Sequence, residues 1–157
     1  SEEIWQVRRK VSPSLRRVNP DKFNEDIVVP RSKVPDMIRA LEKISVEYDV
    51  PIVNFGHAGD GNIHVNIMVD LREHGMAEKV DKVLDEVFQA AINLRGSISG
   101  EHGIGTAKAK YLAMELDPAT IAAMQRIKDA FDPNHILNPG KIFPDNPFQV
   151  PAKTGSN

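Results

Sequence analysis

The sequence contains no cysteine, which excludes disulfides and every thiolate metal site. Any metal bound by this chain must be held by histidine, aspartate, glutamate or asparagine. The lack of cysteine also fits a reducing compartment, so a cytoplasmic location is the expectation. No apolar run approaches the roughly 18 residues needed to cross a bilayer, and no signal-peptide pattern opens the chain. Charge of one sign is missing too. Against 20 basic side chains stand 22 acidic ones, for a formal net charge of -2, so nothing draws the chain to nucleic acid or to an anionic membrane. Internal repeats and low-complexity linkers are absent. What remains is 157 residues, 41% hydrophobic and 27% charged, enough for an ordinary globular domain with its own core.

The chain starts at Ser1, and residues 2–11 already have the pattern of a basic mid-helix limited by Pro13. A piece of a longer protein is therefore expected. Residues 14–24 are polar and read as loop. Asp26 to Val29, closed by Pro30, is expected as a strand. Ser32 is placed to cap a helix in which Val34, Met37, Ile38, Leu41, Ile44 and Tyr48 follow helical spacing, with Pro35 tolerated in the first turn. Pro51 to Phe55 and Ile63 to Val69 read as strands on either side of Gly59-Asp60-Gly61-Asn62, where Asp-Gly is a hairpin signal. Met76, Val80, Val83, Leu84, Val87, Phe88 and Ala91 make a long amphipathic helix that Gly96 is expected to stop. Ser97 to Ser99 reads as a short fourth strand. The order β-α-β-β-α-β predicts an α+β fold with an antiparallel sheet, the split βαβ or ferredoxin-like unit.

Further along, Thr106 is placed to cap a short helix through Met114. Asp117-Pro118 opens another, with Ile121, Met124, Ile127 and Phe131 as its apolar stripe and Asp132-Pro133 as its end. Asn138-Pro139-Gly140-Lys141 is turn chemistry, and the polar, proline-rich tail from Pro144 is expected to fray. Four segments follow: 1–24, 25–100, 101–143 and 144–157.

Two stretches carry chemistry. With Asp60-Gly61 at the centre of a two-residue turn, His57 falls opposite His64. Opposed Cβ atoms lie about 4.5–5.5 Å apart, close enough for two imidazoles to ligate one ion at about 2.0–2.1 Å. Asn66 shares that face. A longer loop would break this register. A phosphate-binding glycine loop is discounted, because a strand follows it and not a helix. The second stretch is Ser99-Gly100-Glu101-His102-Gly103-Ile104-Gly105, whose glycines allow unusual backbone shapes. Glu101 can complete a set of two histidines and one carboxylate that leaves open positions on a metal. His102 can face a substrate proton, since an unperturbed imidazole titrates near pH ~6.5. Two nitrogens and an oxygen suit zinc best, with manganese and iron open. On the residues alone, packed histidines, a solvated Glu-His loop and a phosphate-binding turn ahead of Thr106 also stay open.

Gly56-His57-Ala58-Gly59-Asp60-Gly61-Asn62-Ile63-His64, together with Gly100-Glu101-His102-Gly103, resembles the C-terminal domain of the FAD-linked oxidases of the vanillyl-alcohol oxidase superfamily. Within it, the chain is similar to the FAD subunit of glycolate oxidase and to D-lactate and D-2-hydroxyglutarate dehydrogenases. Phe131-Asp132-Pro133-Asn134 and Leu137-Asn138-Pro139-Gly140-Lys141-Ile142 match as well, so the resemblance runs from Trp5 to Pro144.

The resemblance implies a role for each matching position. His57, His64 and Glu101 would be metal ligands, and His102 the base that takes the substrate hydroxyl proton. Asn66 would touch substrate, and Arg8 would pair with its carboxylate. Ser12 sits where relatives carry a small hydroxyl residue. Asn138 would lie near the flavin. Segment 1–24 becomes a fragment of the cap region, 25–100 the substrate (cap) domain and 101–143 the C-terminal helical segment.

The implied reaction oxidises a small 2-hydroxy acid to a 2-oxo acid, with hydride passing to FAD. There are departures. Some relatives place a substrate-binding lysine just before the first strand; the aligned position here is Asn24, with Lys22 nearby. Nothing resembles the glycine-rich pyrophosphate loop of the FAD-binding domain, so that domain of the same protein is an implied partner. Other oxidase subunits or a second copy are further implied partners, and the only membrane association expected is peripheral, through such subunits. Arg8 in Arg8-Arg9-Lys10 also reads as solvated charge, and Asn138 as an ordinary turn residue. A metal-dependent hydrolase and a non-catalytic metal-binding module remain as alternatives.

Overall fold

The computed structural model describes residues 5–6, 14–15, 19–57 and 59–143. The chain divides into two compact units, 1–102 and 103–157. In the first unit the elements run β1 (Asp21–Val28), α1 (Val34–Tyr48), β2 (Ile52–His57), β3 (Asn62–Val69) and α2 (Met76–Asn93). The strands form one antiparallel sheet in the order β1-β3-β2. The α+β class and the β-α-β-β-α sequence are as expected.

The fourth strand is not. It is reduced to a single bridge on the free edge of β1, Val28 to Ser97, closed by Ser97 N–H to Val28 O at 2.8 Å and Val28 N–H to Ser97 O at 3.1 Å. The ladder stops there because the next amides are spent elsewhere. Those of Gly100, Glu101 and His102 donate to the Asp26 side chain.

Local signals at the helix ends shift as well. Ser32 does not cap α1. It lies in a 3-10 turn, Arg31–Lys33, and Lys33 is the residue that precedes the helix. Pro35 falls in the first turn, where its missing amide costs nothing. At the end of α2 the left-handed residue is Arg95, with φ 61, while the Gly96 amide reaches back to Ala91 O at 2.8 Å.

The core lies between one sheet face and the two helices, which pack on each other. Ile63, Val65 and Ile67 alternate along that face of β3 and are buried with Met37, Leu41, Val83, Val87 and Phe88. A side chain such as Phe88, fully buried, contributes about 1.5–3 kcal/mol by leaving water. This holds β3 as a stiff central strand, and its alternate residues Asn62, His64 and Asn66 are presented together on the opposite face.

The second unit holds a 3-10 turn, Ala109–Tyr111, then α3 (Leu112–Glu115) and α4 (Pro118–Phe131). Thr106 does not start a helix; its carbonyl accepts the Ala109 amide at 3.4 Å in a turn, and α3 begins only at Leu112. Asp117 does cap α4, accepting the Thr120 amide at 2.9 Å. Among the described residues, no helix is long and apolar enough to cross a membrane.

Candidate active site

The turn between β2 and β3 is longer than two residues, and this changes the histidine register. His57 O accepts the amides of Asp60, at 3.2 Å, and of Gly61, at 3.1 Å. Gly61 takes φ 84, and a Cβ there would overlap Val29 O, so only glycine fits. His57 therefore pairs with Asn62, and His64 pairs with Phe55. The expected opposition of His57 and His64 does not occur. The two are diagonal neighbours on one sheet face, and their rings meet edge to face at 5.7 Å between centroids. Histidine side chains are long enough to close a diagonal gap that shorter ones cannot. On the other side of β3, Asp26 pairs with His64 and Asn24 with Asn66.

Glu101 comes to this face from the 100–102 loop. Its carboxylate oxygens stand 3.5 Å from His57 Nε2 and 3.7 Å from His64 Nε2. The ligand atoms of His57, His64 and Glu101 all lie within 4.8 Å of one another. Two ligands each about 2.1 Å from a tetrahedral ion are separated by about 3.4 Å, so the set fits a small divalent metal. Burial holds the His64 imidazole below its usual pKa; Glu101 works against this, and His102 and His57 add to the lowering. A depressed pKa keeps the ring neutral, which is the form that ligates.

His102 stacks at a tilt beside His64, 5.5 Å between centroids. Its Nδ1 lies 3.4 Å from Asp26 Oδ1. Asp26 is completely buried, and its Oδ2 accepts the amides of Gly100 at 2.8 Å, His102 at 3.1 Å and Glu101. Gly100 is required here, because a Cβ would overlap the Asn62 amide group and stand 3.2 Å from Asp26 Oδ2.

Two asparagines on the same face are buried and half used. Asn66 donates from Nδ2 to Val53 O at 3.0 Å and to His64 O at 3.3 Å. Asn62 donates to Ile27 O at 3.3 Å. The Oδ1 atoms of both have no hydrogen-bond partner among the described residues. Each is a buried acceptor still open to a donor such as a water or a hydroxyl.

Of the residues singled out by sequence, His57, His64, Glu101, His102 and Asn66 come together in the first unit. Asn138 lies in the second unit, with φ 48, on an apolar groove of about 420 Å³ lined also by Met124, Ile127, Leu137, Ile142 and Phe143. Arg8 and Ser12 lie outside the described residues. Asn24 stands on the site face opposite Asn66, and Lys22 opposite Met68. Sequence reading missed Asp26 and Asn62. Asp26 is the acidic residue at the head of an otherwise β-branched run, a visible signal, but its pairing with His64 is a cross-strand fact that no local pattern contains.

Residues 1–142 match the family model described as FAD linked oxidases, C-terminal domain. Glycolate oxidase subunit GlcD of Bacillus subtilis is 46% identical over 140 residues, covering 89% of this chain and 30% of that protein. D-lactate dehydrogenase of Anaerostipes hadrus is 42% identical over 141 residues, covering 89% of this chain and 30% of that protein. D-2-hydroxyglutarate dehydrogenase of Stutzerimonas stutzeri is 40% identical over 149 residues, covering 90% of this chain and 31% of that protein. The chain thus spans less than a third of the length of these relatives, and it belongs to the family of FAD-linked oxidase C-terminal domains.

Proposed function

We propose that this chain is the substrate- and metal-binding C-terminal part of an FAD-dependent oxidoreductase that oxidises a small 2-hydroxy acid to a 2-oxo acid. The observation that carries this is the convergence of His57, His64 and Glu101 within 4.8 Å, with a third imidazole, His102, beside them. The relatives' names, glycolate oxidase, D-lactate dehydrogenase and D-2-hydroxyglutarate dehydrogenase, supply the substrate class.

His57, His64 and Glu101 would hold a divalent metal, zinc first, with manganese or iron as the alternatives. When bound, the metal supplies Lewis acidity toward the substrate hydroxyl, and the flavin supplies the hydride acceptor. His102 takes the hydroxyl proton at Nε2, the nitrogen turned away from Asp26. Asn66 Oδ1 accepts a hydrogen bond from a substrate hydroxyl or its water. Arg8 would bind the substrate carboxylate, Ser12 would contribute a hydroxyl to substrate binding, and Asn138 would take part in flavin binding. The FAD-binding portion of the same protein is the necessary partner. Other oxidase subunits or a second copy complete a cytoplasmic assembly.

Elemental analysis and activity test this in two arms. The wild-type chain should hold about one zinc per molecule, lost in a His57→Ala, His64→Ala double variant. In the FAD-bound protein, His102→Ala should keep its zinc and lower kcat by about 10²–10⁴-fold, the usual share of a general base. Equal zinc in the double variant overturns the metal assignment, and full activity of His102→Ala overturns the base.

A further inference from the structure

One buried carboxylate, Asp26, is held by more than its own strand. Asp26 sits on β1 opposite His64 and is completely buried. One of its oxygens takes three consecutive amides, Gly100, Glu101 and His102. The other stands 3.4 Å from His102 Nδ1, with the Ser99 hydroxyl at 3.5 Å. Successive amides that converge on one point form an anion-binding concavity. Such concavities ordinarily receive a ligand, and here the anion belongs to the protein. A buried carboxylate without donors is strongly disfavoured, and a loop with glycines at positions 100, 103 and 105 has many conformations to choose from. Each therefore fixes the other, and Asp26 stands on a paired strand, so the loop is the part that yields.

We propose that Asp26 is the positioning residue of this site: by pinning the 100–102 amides and facing His102 Nδ1, it sets where the Glu101 carboxylate and the His102 ring point. The proposal rests on the metal and base roles given above. Glu101, held by its own amide on Asp26, extends to His57 and His64 at 3.5 and 3.7 Å. His102, with a carboxylate at Nδ1, keeps the proton on that nitrogen and leaves Nε2 free to accept one. A single strand residue thus aligns a metal ligand and a proton acceptor that are adjacent in sequence. Gly100 makes this approach physically available, because any Cβ there would strike Asn62.

Nuclear magnetic resonance of the metal-free wild-type chain is the first test. The amides of Gly100, Glu101 and His102 should resist hydrogen exchange, and the His102 nitrogens should report the Nδ1–H tautomer. The second test is zinc titration of Asp26→Asn, which should bind about 10–100-fold more weakly than wild type, the usual cost of losing a group that orients a ligand. In that variant the His102 nitrogen shifts should also lose their single-tautomer pattern. Freely exchanging loop amides in the wild type overturn the proposal, and so does an Asp26→Asn chain with unchanged zinc affinity and unchanged His102 shifts. If Asp26→Asn does not fold, the wild-type exchange and tautomer measurements decide. A wild-type chain that binds no zinc overturns the metal assignment, and the metal-free measurements still decide for or against Asp26.

Discussion

α2 and α4 carry the same kind of sequence signal, an apolar stripe at helical spacing, and they end up held in opposite ways. Seven residues of α2 are buried, Met76, Val80, Val83, Leu84, Val87, Phe88 and Ala91, and the helix has no side-chain cap. On α4 only Gln125 is buried, while Ile127 and Phe131 are 61% and 83% exposed. The ends of α4 are tied instead. Asp117 accepts the Thr120 amide and hydroxyl at 2.9 and 3.0 Å. Asp132 accepts the amides of Ile136 and Leu137, both at 3.0 Å, and pairs with Lys128, whose ammonium also donates to Leu137 O at 2.7 Å. One helix is fastened by its face and the other by its termini. Amphipathic spacing states that a helix has a face to bury; it does not state that the face is buried within the same unit.

Phe88 is the position on which the burial of α2 depends most. Phe88→Ala should destabilise the chain by about 3–5 kcal/mol in denaturant unfolding, the range for a fully buried aromatic, and a loss near zero would mean that α2 is not held by its face. A smaller effect is expected at the α4 clasp. The hydrogen bond from Lys128 holds the Asp132 carboxyl below its usual pKa; burial opposes this and the Ile136 and Leu137 amides reinforce it. A carboxyl with a lowered folded pKa contributes stability that is fully present above its unfolded value of about 3.9 and is lost as pH falls through the folded value. Acid titration should therefore move the Ile136 and Leu137 amide resonances below about pH 4, and Asp132→Asn should remove that transition while α2 resonances stay put. Identical acid transitions in both helices would erase the distinction. Least is expected from Phe131→Ala, which should alter stability by less than about 0.5 kcal/mol, as for any exposed position. A loss on the Phe88 scale would mean that the stripe of α4 is covered after all.

The same division governs the site. The residue types were legible because ligands and bases come from a short menu, and Gly-Glu-His-Gly beside a histidine hairpin is a rare conjunction. The register was not legible. Whether Asp60-Gly61 makes a two-residue turn or the end of a longer one depends on where the Gly61 backbone packs, and it packs against Val29. That contact shifted His57 onto Asn62 and left the two histidines diagonal. Ser32 and Thr106 failed as helix caps for a related reason: each is a good local choice overridden by a neighbouring turn. Gly96 lies one residue past the left-handed Arg95, and its amide closes the end of α2 on Ala91 O.

From the sequence alone came the α+β class, the order of the first five elements, the core faces of α1 and α2, the Asp117 cap and the cluster of His57, His64 and Glu101. All but the cluster follow from periodicity or from groups close along the chain. Only the tertiary structure decided that the fourth strand is one bridge, that Ile127 and Phe131 of α4 stay exposed, and that Asp26 gathers the loop amides beside His102. The strand bridge and the Asp26 cradle depend on groups far apart in the chain, Val28 with Ser97 and Asp26 with Gly100 at a separation of 74. Pairing at that range is fixed by the packing of the whole sheet, and no local pattern encodes it.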